Sequence, residues 1–240
     1  MQSVEKYYDE YTERQVDAGV HYRHKKIQEW LLKFGLQPHH DVLEIGCGIG
    51  TQTQLLANFL NKDVNITAID ISPKSIEIAK RNLQAHSHVK LIAGDVVETD
   101  LNGKFDVVLL PDVIEHIPLD QHKALFGKIR EVLKDDGFVL IHIPNPYYLE
   151  WVHVHRKQDL QIIDQPIYTN ELCQNIYPHG LHIAYLETYG IWVSGGDYQV
   201  VVLEPTLGQE RFKATGFPQP SLMGRIVGKL KRMALKWAQS

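Results

Sequence analysis

Between residues 41 and 143, short apolar runs alternate with amphipathic stretches. DVLEIG (41–46) is a strand-length run that stops at glycines, and TQLLANFL (53–60) sets its apolar side chains at helical spacing. NITAID (65–70) predicts a second strand ending on an acid. SPKSIEIAKRNLQAH (72–86) then predicts a helix, with Ser72 as N-cap and Pro73 at its first position. HVKLIAGD (88–95) and KFDVVLLPD (104–112) read as third and fourth strands. LDQHKALFGKIREVLK (119–134) is strongly amphipathic, and FVLIHIP (138–144), after Gly137, reads as a fifth strand. Near-continuous Val, Ile and Leu runs mark strands covered on both faces, so the expected class is α/β, with a doubly wound, mostly parallel sheet.

After residue 144 the pattern changes. Residues 145–168 mix Pro146, Pro166, tyrosines, a tryptophan and histidines without a clear period, which predicts a long irregular insertion after the fifth strand. TNELCQNIY (169–177) predicts a helix capped by Thr169. LHIAYLETYG (181–190) and DYQVVVLEP (197–205), parted by Gly195-Gly196, predict a closing antiparallel pair and bring the sheet to seven strands. Residues 206–220 read as a linker.

The length of 240 residues fits one domain, and 44% hydrophobic with 22% charged residues excludes a disordered or fibrous chain. No apolar run approaches the roughly 20 residues that span a bilayer. The segment MQSVEKYYDEYTERQ is polar and acidic, unlike a secretory or transit leader. Cys47 and Cys173 stand far apart without a CxxC, so neither a disulfide framework nor a zinc cluster is expected, and the cytoplasm is the expected compartment. The net charge of −4 conceals an asymmetry: residues 221–240 hold Arg225, Lys229, Lys231, Arg232 and Lys236 and no acid, which leaves −9 on the first 220 residues. So acidic a body is a poor footprint for nucleic acid.

The most informative stretch is VLEIGCGIGTQT (42–53), where a strand runs through Gly46, Cys47, Gly48 and Gly50 into a helix. Glycines let backbone turn tightly and approach a ligand closely, and the helix N-terminus behind them offers free N–H groups. A dinucleotide G-x-G-x-x-G would need glycine at position 51, which is Thr51. Glu44 instead precedes the first glycine by two residues. In these features, and in Asp70 at the end of the second strand, Gly94-Asp95 at the end of the third, and FDVVLLPDVIEHI (105–117), the chain resembles the class I S-adenosylmethionine-dependent methyltransferases over roughly residues 40–145.

The resemblance implies S-adenosylmethionine as cofactor, leaving as S-adenosylhomocysteine. Gly46, Gly48 and Gly50 would pass beneath its methionyl part, with Glu44 in contact and Asp70 accepting both ribose hydroxyls. Ile71 would pack on the adenine, with Asp95 and Val96 at its edge, and Pro111, Asp112 and Val113 would lie near the transferable methyl. Arg23 could pair with the cofactor's carboxylate or sit on a solvated helical face. The core would then be 40–145 within a single domain over 1–205, with an N-terminal helical lid over 1–35 and an acceptor-side insertion over 145–180.

A hydroxyl acceptor benefits from a general base, most often histidine. His116, just after the fourth strand, is the first candidate. His142 in the fifth strand faces either the site or a helix, and Tyr11, with Tyr7 and Tyr8, belongs to the segment that could fold over the methyl donor. His153 and His155 would share a face if extended, but no third metal ligand is placed, so no metal is expected. Asn145-Pro146-Tyr147 resembles the N/D-P-P-Y motif of DNA amino-methyltransferases, yet it follows the fifth strand where that motif follows the fourth. A small-molecule acceptor is therefore expected, with transfer to an O or N atom. The rivals are an NAD(P)-dependent oxidoreductase and a non-catalytic S-adenosylmethionine-binding module.

Residues 221–240 place Leu222, Ile226, Leu230, Met233 and Trp237 on one helical stripe and the basic residues on another. This suits a helix lying on the inner face of an anionic membrane, which would favour a glycan or lipid-linked acceptor. A terminal helix packed on its own domain, or on a second subunit in a homodimer, is the alternative.

Overall fold

The computed structural model describes Tyr7 and residues 19–206. The elements run α1 (Tyr22–Lys33), β1 (Val42–Ile45), α2 (Thr51–Phe59), β2 (Ile66–Asp70), α3 (Pro73–Asn82), β3 (Val89–Ala93), β4 (Phe105–Pro111), α4 (His122–Val132), β5 (Leu133–Pro144), α5 (Pro146–His155), α6 (Thr169–Ile176), β6 (Leu181–Tyr189) and β7 (Tyr198–Pro205). They build a seven-stranded sheet in the order β3-β2-β1-β4-β5-β7-β6. β1 to β5 are parallel, and β7 is antiparallel to both β5 and β6. The order reverses at β1, between β2 and β4, which is where open α/β sheets leave a crevice beyond their carboxyl ends.

Alternate residues of one strand enter opposite cores. Leu43, Val108, Leu110, Val139 and Ile141 pack with Leu125, Phe126 and Ile129 of α4 and Leu172 and Ile176 of α6. Val42, Val107, Leu109 and Leu140 pack on the other face with Ile27 and Leu31 of α1 and Leu56 of α2. Each such side chain contributes roughly 1.5–3 kcal/mol on burial, so the central strands are pinned from both sides. The helix starts follow local chemistry. Ser72 Oγ accepts the Ser75 N–H at 3.0 Å with Pro73 in the first turn.

Three expectations change. The stretch 145–168 is not wholly irregular, because Asn145 Oδ1 accepts the Tyr147 N–H at 3.2 Å and starts α5. Only Pro146, Leu149 and Val152 of that helix are buried, a stripe too narrow to register as a period. On this helix His153 and His155 point apart, and His153 Nε2 lies 2.7 Å from the Asp164 carbonyl. Second, the N-cap of α6 is Tyr168 rather than Thr169, with the Glu171 carboxylate accepting the Tyr168 N–H at 3.3 Å. Third, β5 begins at Leu133, opposite Phe105, so α4 passes into its strand without the expected connection. Tyr8, Tyr11, most of the 206–220 linker and the 221–240 helix lie outside the described residues. Among the described residues no helix is long and apolar enough to cross a membrane.

Candidate functional site

A cavity of about 640 Å³ opens at the carboxyl edge of the sheet, between the ends of β1, β2 and β4 and the first turn of α1. That volume is in the range of small-molecule sites. Glu44, Gly46, Cys47, Gly48, Asp70, Ile71, Gly94, Asp95, Val96, Pro111, Asp112, Val113, Arg23 and His116 all line it. Gly50 does not. It is the N-cap of α2 at φ +83°, where a Cβ would come within 2.8 Å of Leu83, so its role is helix packing rather than ligand contact.

The turn after β1 is braced from below. Gly46 and Cys47 donate their N–H groups to the Ile69 carbonyl at 2.8 and 3.1 Å. Gly46 holds φ +76°, and a Cβ there would lie 2.3 Å from a Val113 methyl. Asp70 Oδ2 accepts the Gly48 N–H at 2.7 Å and Oδ1 accepts the Ser72 N–H at 2.9 Å, which fixes the carboxylate at the cavity wall. Asp95 Oδ1 likewise accepts the Val97 N–H at 2.8 Å. Cys47 is buried. Burial, with Asp70 and Glu44 nearby, pushes its thiol pKa well up.

Glu44 is fully buried at the cavity wall. Oε2 accepts the Thr53 hydroxyl at 2.7 Å, while Oε1 has no hydrogen-bond partner. Burial outweighs the Thr53 hydroxyl and, with repulsion from Asp70, pushes this carboxyl up to about 8. A cation arriving at Oε1 would reverse that balance.

Across the cavity, Asp112 follows β4 at φ +55°, a left-handed conformation rare for a residue with a side chain. Its N–H donates to the His142 carbonyl at 2.7 Å. Oδ2 lies 2.8 Å from Arg23 Nη1, and Oδ1 accepts from His142 Nδ1 at 2.8 Å. Burial alone would raise this carboxyl, but Arg23 and His142 outweigh it and hold it down at about 2. The far nitrogen of His142 meets the Tyr189 hydroxyl at 2.7 Å, and the ring stacks on Tyr198 at 4.7 Å.

Two expected roles change here. His142 is fully buried and does not line the cavity, so it supports Asp112 from behind and has no free nitrogen for an acceptor. His116 does line the cavity, but its Nδ1 lies 2.7 Å from the Ile163 carbonyl and 3.1 Å from Asp164 Oδ1, and Glu115 stands 3.7 Å from Nε2. Burial would depress its pKa, yet Glu115, Asp164 and the Ile163 carbonyl together raise it to about 9. These partners favour its protonated form and engage both nitrogens, which opposes a role as general base. Gln161 Nε2 lies 3.1 Å from His116 Nε2. With His116 donating from both nitrogens, the Gln161 amide must turn its oxygen to the ring, which frees its NH2 for the cavity. Arg23, for its part, is committed to Asp112, although its Nε has no partner.

The cavity wall also holds His21, His24, Gln161, Trp192 and Tyr198, which the sequence reading did not select. The ring of His21, the N-cap of α1, lies tilted against that of His24 with centroids 4.2 Å apart, a spacing visible in HYRH (21–24). Burial, then Arg23, lowers both, His24 to about 3, so both rings are neutral. Trp192 comes from the loop between β6 and β7, bounded by Gly190 and Gly195, and nothing local marks it.

The cavity is built for a polar guest. Side chains lining it supply four buried polar atoms without a partner among the described residues: His21 Nδ1, Arg23 Nε, Glu44 Oε1 and Gln52 Oε1. Such atoms are costly unless something satisfies them. Among the described residues no group of three or more ligating side chains could hold a metal.

Residues 42–137 match a family model described as a methyltransferase domain. The chain is 42% identical over 97 residues to a malonyl-[acyl-carrier protein] O-methyltransferase of Acetivibrio thermocellus, covering 40% of this chain and 33% of that one. It is 27% identical over 108 residues to a carboxy-S-adenosyl-L-methionine synthase of Dichelobacter nodosus, covering 44% and 45%. The crystal structure of N-methyltransferase NodS from Bradyrhizobium japonicum with S-adenosyl-l-homocysteine superposes with a TM-score of 0.60 at 18% identity, covering 77% and 86%. The chain thus spans about a third to a half of the length of these two curated relatives, and the structural likeness is one of fold.

Proposed function

We propose, on the match of residues 42–137 to a methyltransferase domain, that the protein is a class I S-adenosylmethionine-dependent methyltransferase that transfers a methyl group to an O or N atom of a small molecule. The observation that carries this reading is the pairing of Glu44 and Asp70 on one cavity wall. One is a buried carboxyl with an open oxygen suited to an ammonium, the other an acceptor suited to a ribose diol. S-adenosylmethionine supplies an electrophilic methyl on a sulfonium with a good thioether leaving group.

The chain's own residues bind, orient and dry the site. Glu44 takes the ammonium, Asp70 the ribose hydroxyls, Ile71 the adenine face, and Asp95 and Val96 its edge. Asp112, pinned by Arg23 and His142, fixes the end of β4 where the two substrates meet. Any proton released by the acceptor goes to a neutral ring, and His21 takes the role first expected of His116. The uncharged imidazoles of His21 and His24 line the cavity wall.

Titration calorimetry with S-adenosylhomocysteine and with NAD, followed by labelled methyl transfer to a panel of hydroxyl and amine acceptors, tests the reading. Binding of S-adenosylhomocysteine with turnover on a panel member supports it. Binding of NAD instead supports an oxidoreductase, and cofactor binding with no transfer supports a binding module.

A further inference from the structure

The large apolar side chains that stay exposed are unevenly placed. Among the described residues, all but Leu32 and Tyr177 lie at the carboxyl edge of the sheet. Val20, Ile71, Leu119, Ile162 and Trp192 each line the cavity or directly adjoin a residue that does. They come from five separate segments of the chain, so they ring the mouth rather than fill it. Trp192 is 62% exposed, far more than a large aromatic side chain retains in a core.

Helix α5 extends the ring. Tyr147, Trp151 and Val154 are exposed on it, and the helix is tied to the mouth through His153, which meets the Asp164 carbonyl, and Asp164, which pairs with His116. The amino edge offers no comparable group among the described residues.

We infer that the carboxyl edge seats on a lipid bilayer, so that the cavity opens into the interfacial layer and receives an amphiphilic acceptor whose apolar part stays in the lipid. The acceptor half of this statement rests on the methyl-transfer reading; the seating does not. A bilayer fits the ring better than a second copy or a rigid protein partner. Either of those would stop the mouth through which ligands must enter, whereas a fluid layer can deliver an apolar ligand into it. Tryptophan and tyrosine on separate loops are the side chains that favour the membrane–water boundary.

Charge sets the lipid. With −9 on its first 220 residues, the body is repelled by an anionic surface, and the five basic residues of 221–240, unaccompanied by acid, counter that repulsion. Seating should therefore depend on anionic lipid.

The test uses the full chain carrying Trp237→Phe, which leaves Trp151 and Trp192 as the exposed emitters beside the buried Trp30. Flotation is measured with phosphatidylcholine vesicles, with and without phosphatidylglycerol, and emission with brominated lipid as quencher. The expected result is flotation with the anionic vesicles and quenching of the exposed tryptophans. Trp151→Ser with Val154→Ser, and separately Val193→Ser, should weaken vesicle binding by about tenfold or more, while Leu32→Ser leaves it unchanged. No flotation with either vesicle, flotation without quenching, or equal loss from Leu32→Ser would overturn the seating. Quenching on the intact rim decides the matter even if a rim variant misfolds. Quenching with no methyl transfer to any acceptor would sink the enzymatic reading and leave the seating standing.

Discussion

The carboxylate of Asp70 accepts the backbone N–H of Gly48 at 2.7 Å, joining the end of the second strand to the middle of the turn that follows the first. One side chain thus shapes the glycine turn and presents acceptor oxygens to the cavity beside it. Asp70→Ala removes both effects. Affinity for S-adenosylhomocysteine should fall by about 1.5–3 kcal/mol, the scale of hydrogen bonds to a charged group. Calorimetry that returned the wild-type affinity would refute the ribose role.

Glu44, with its carboxyl raised to about 8, is mostly protonated at neutral pH. An ammonium at its open oxygen favours the anion, so ligand binding should release close to one proton at about pH 7. Affinity should rise as pH approaches about 8 and level off above it, where the group is already ionised. Binding enthalpies of S-adenosylhomocysteine in buffers of different ionisation heat report the release. Glu44→Gln should abolish it.

At Gly46 a side chain meets two obstacles, a left-handed φ of +76° and the Val113 methyl at 2.3 Å. Gly46→Ala should cost about 2–3 kcal/mol in urea unfolding, from backbone strain and overpacking together. Adding Val113→Ala should restore the packing share and leave about 1 kcal/mol of strain. No recovery in the double variant would show that the turn is not held against Val113.

His116 has a folded pKa of about 9, above its unfolded value of 6.5, so its pairing contributes fully below about pH 6.5 and is lost as pH rises through 9. Burial pushes Glu115 up against the pull of His116, so it too holds its proton more tightly when folded and acts in the same direction. Unfolding free energy should therefore drop as pH rises from about 6.5 to 9, with the His116–Glu115 pair titrating together. His116→Gln should flatten the dependence in urea titrations, while turnover keeps its pH profile because this ring is not the base.

The parallel core was legible because Val42–Ile45, Ile66–Asp70 and Phe105–Pro111 are apolar on both faces, and few other elements carry that pattern. The ligand wall was legible for a related reason. Glu44, Asp70, Asp95 and Asp112 sit at or just past strand ends, and parallel strands bring such ends to one edge. Helix α5 was not legible, since its exposed aromatics break the period its three buried residues would set. Nor were the fates of Arg23, His116 and His142, which were singled out for the right neighbourhood. Each is decided by a partner far away in sequence: Asp112 for Arg23, Asp164 for His116, and Asp112 with Tyr189 for His142.

Cys47 gives the glycine turn a property of its own. A buried thiol held protonated by its surroundings is a poor nucleophile, so alkylating reagents that enter the cavity should label it slowly, and more slowly still when a nucleoside fills the cavity. Cys173, half-buried on the distant helix α6, can serve as the internal reference. The native chain therefore carries a two-channel chemical gauge, in which the ratio of labelling at the two sulfurs reads out how far a bound nucleoside shields the turn.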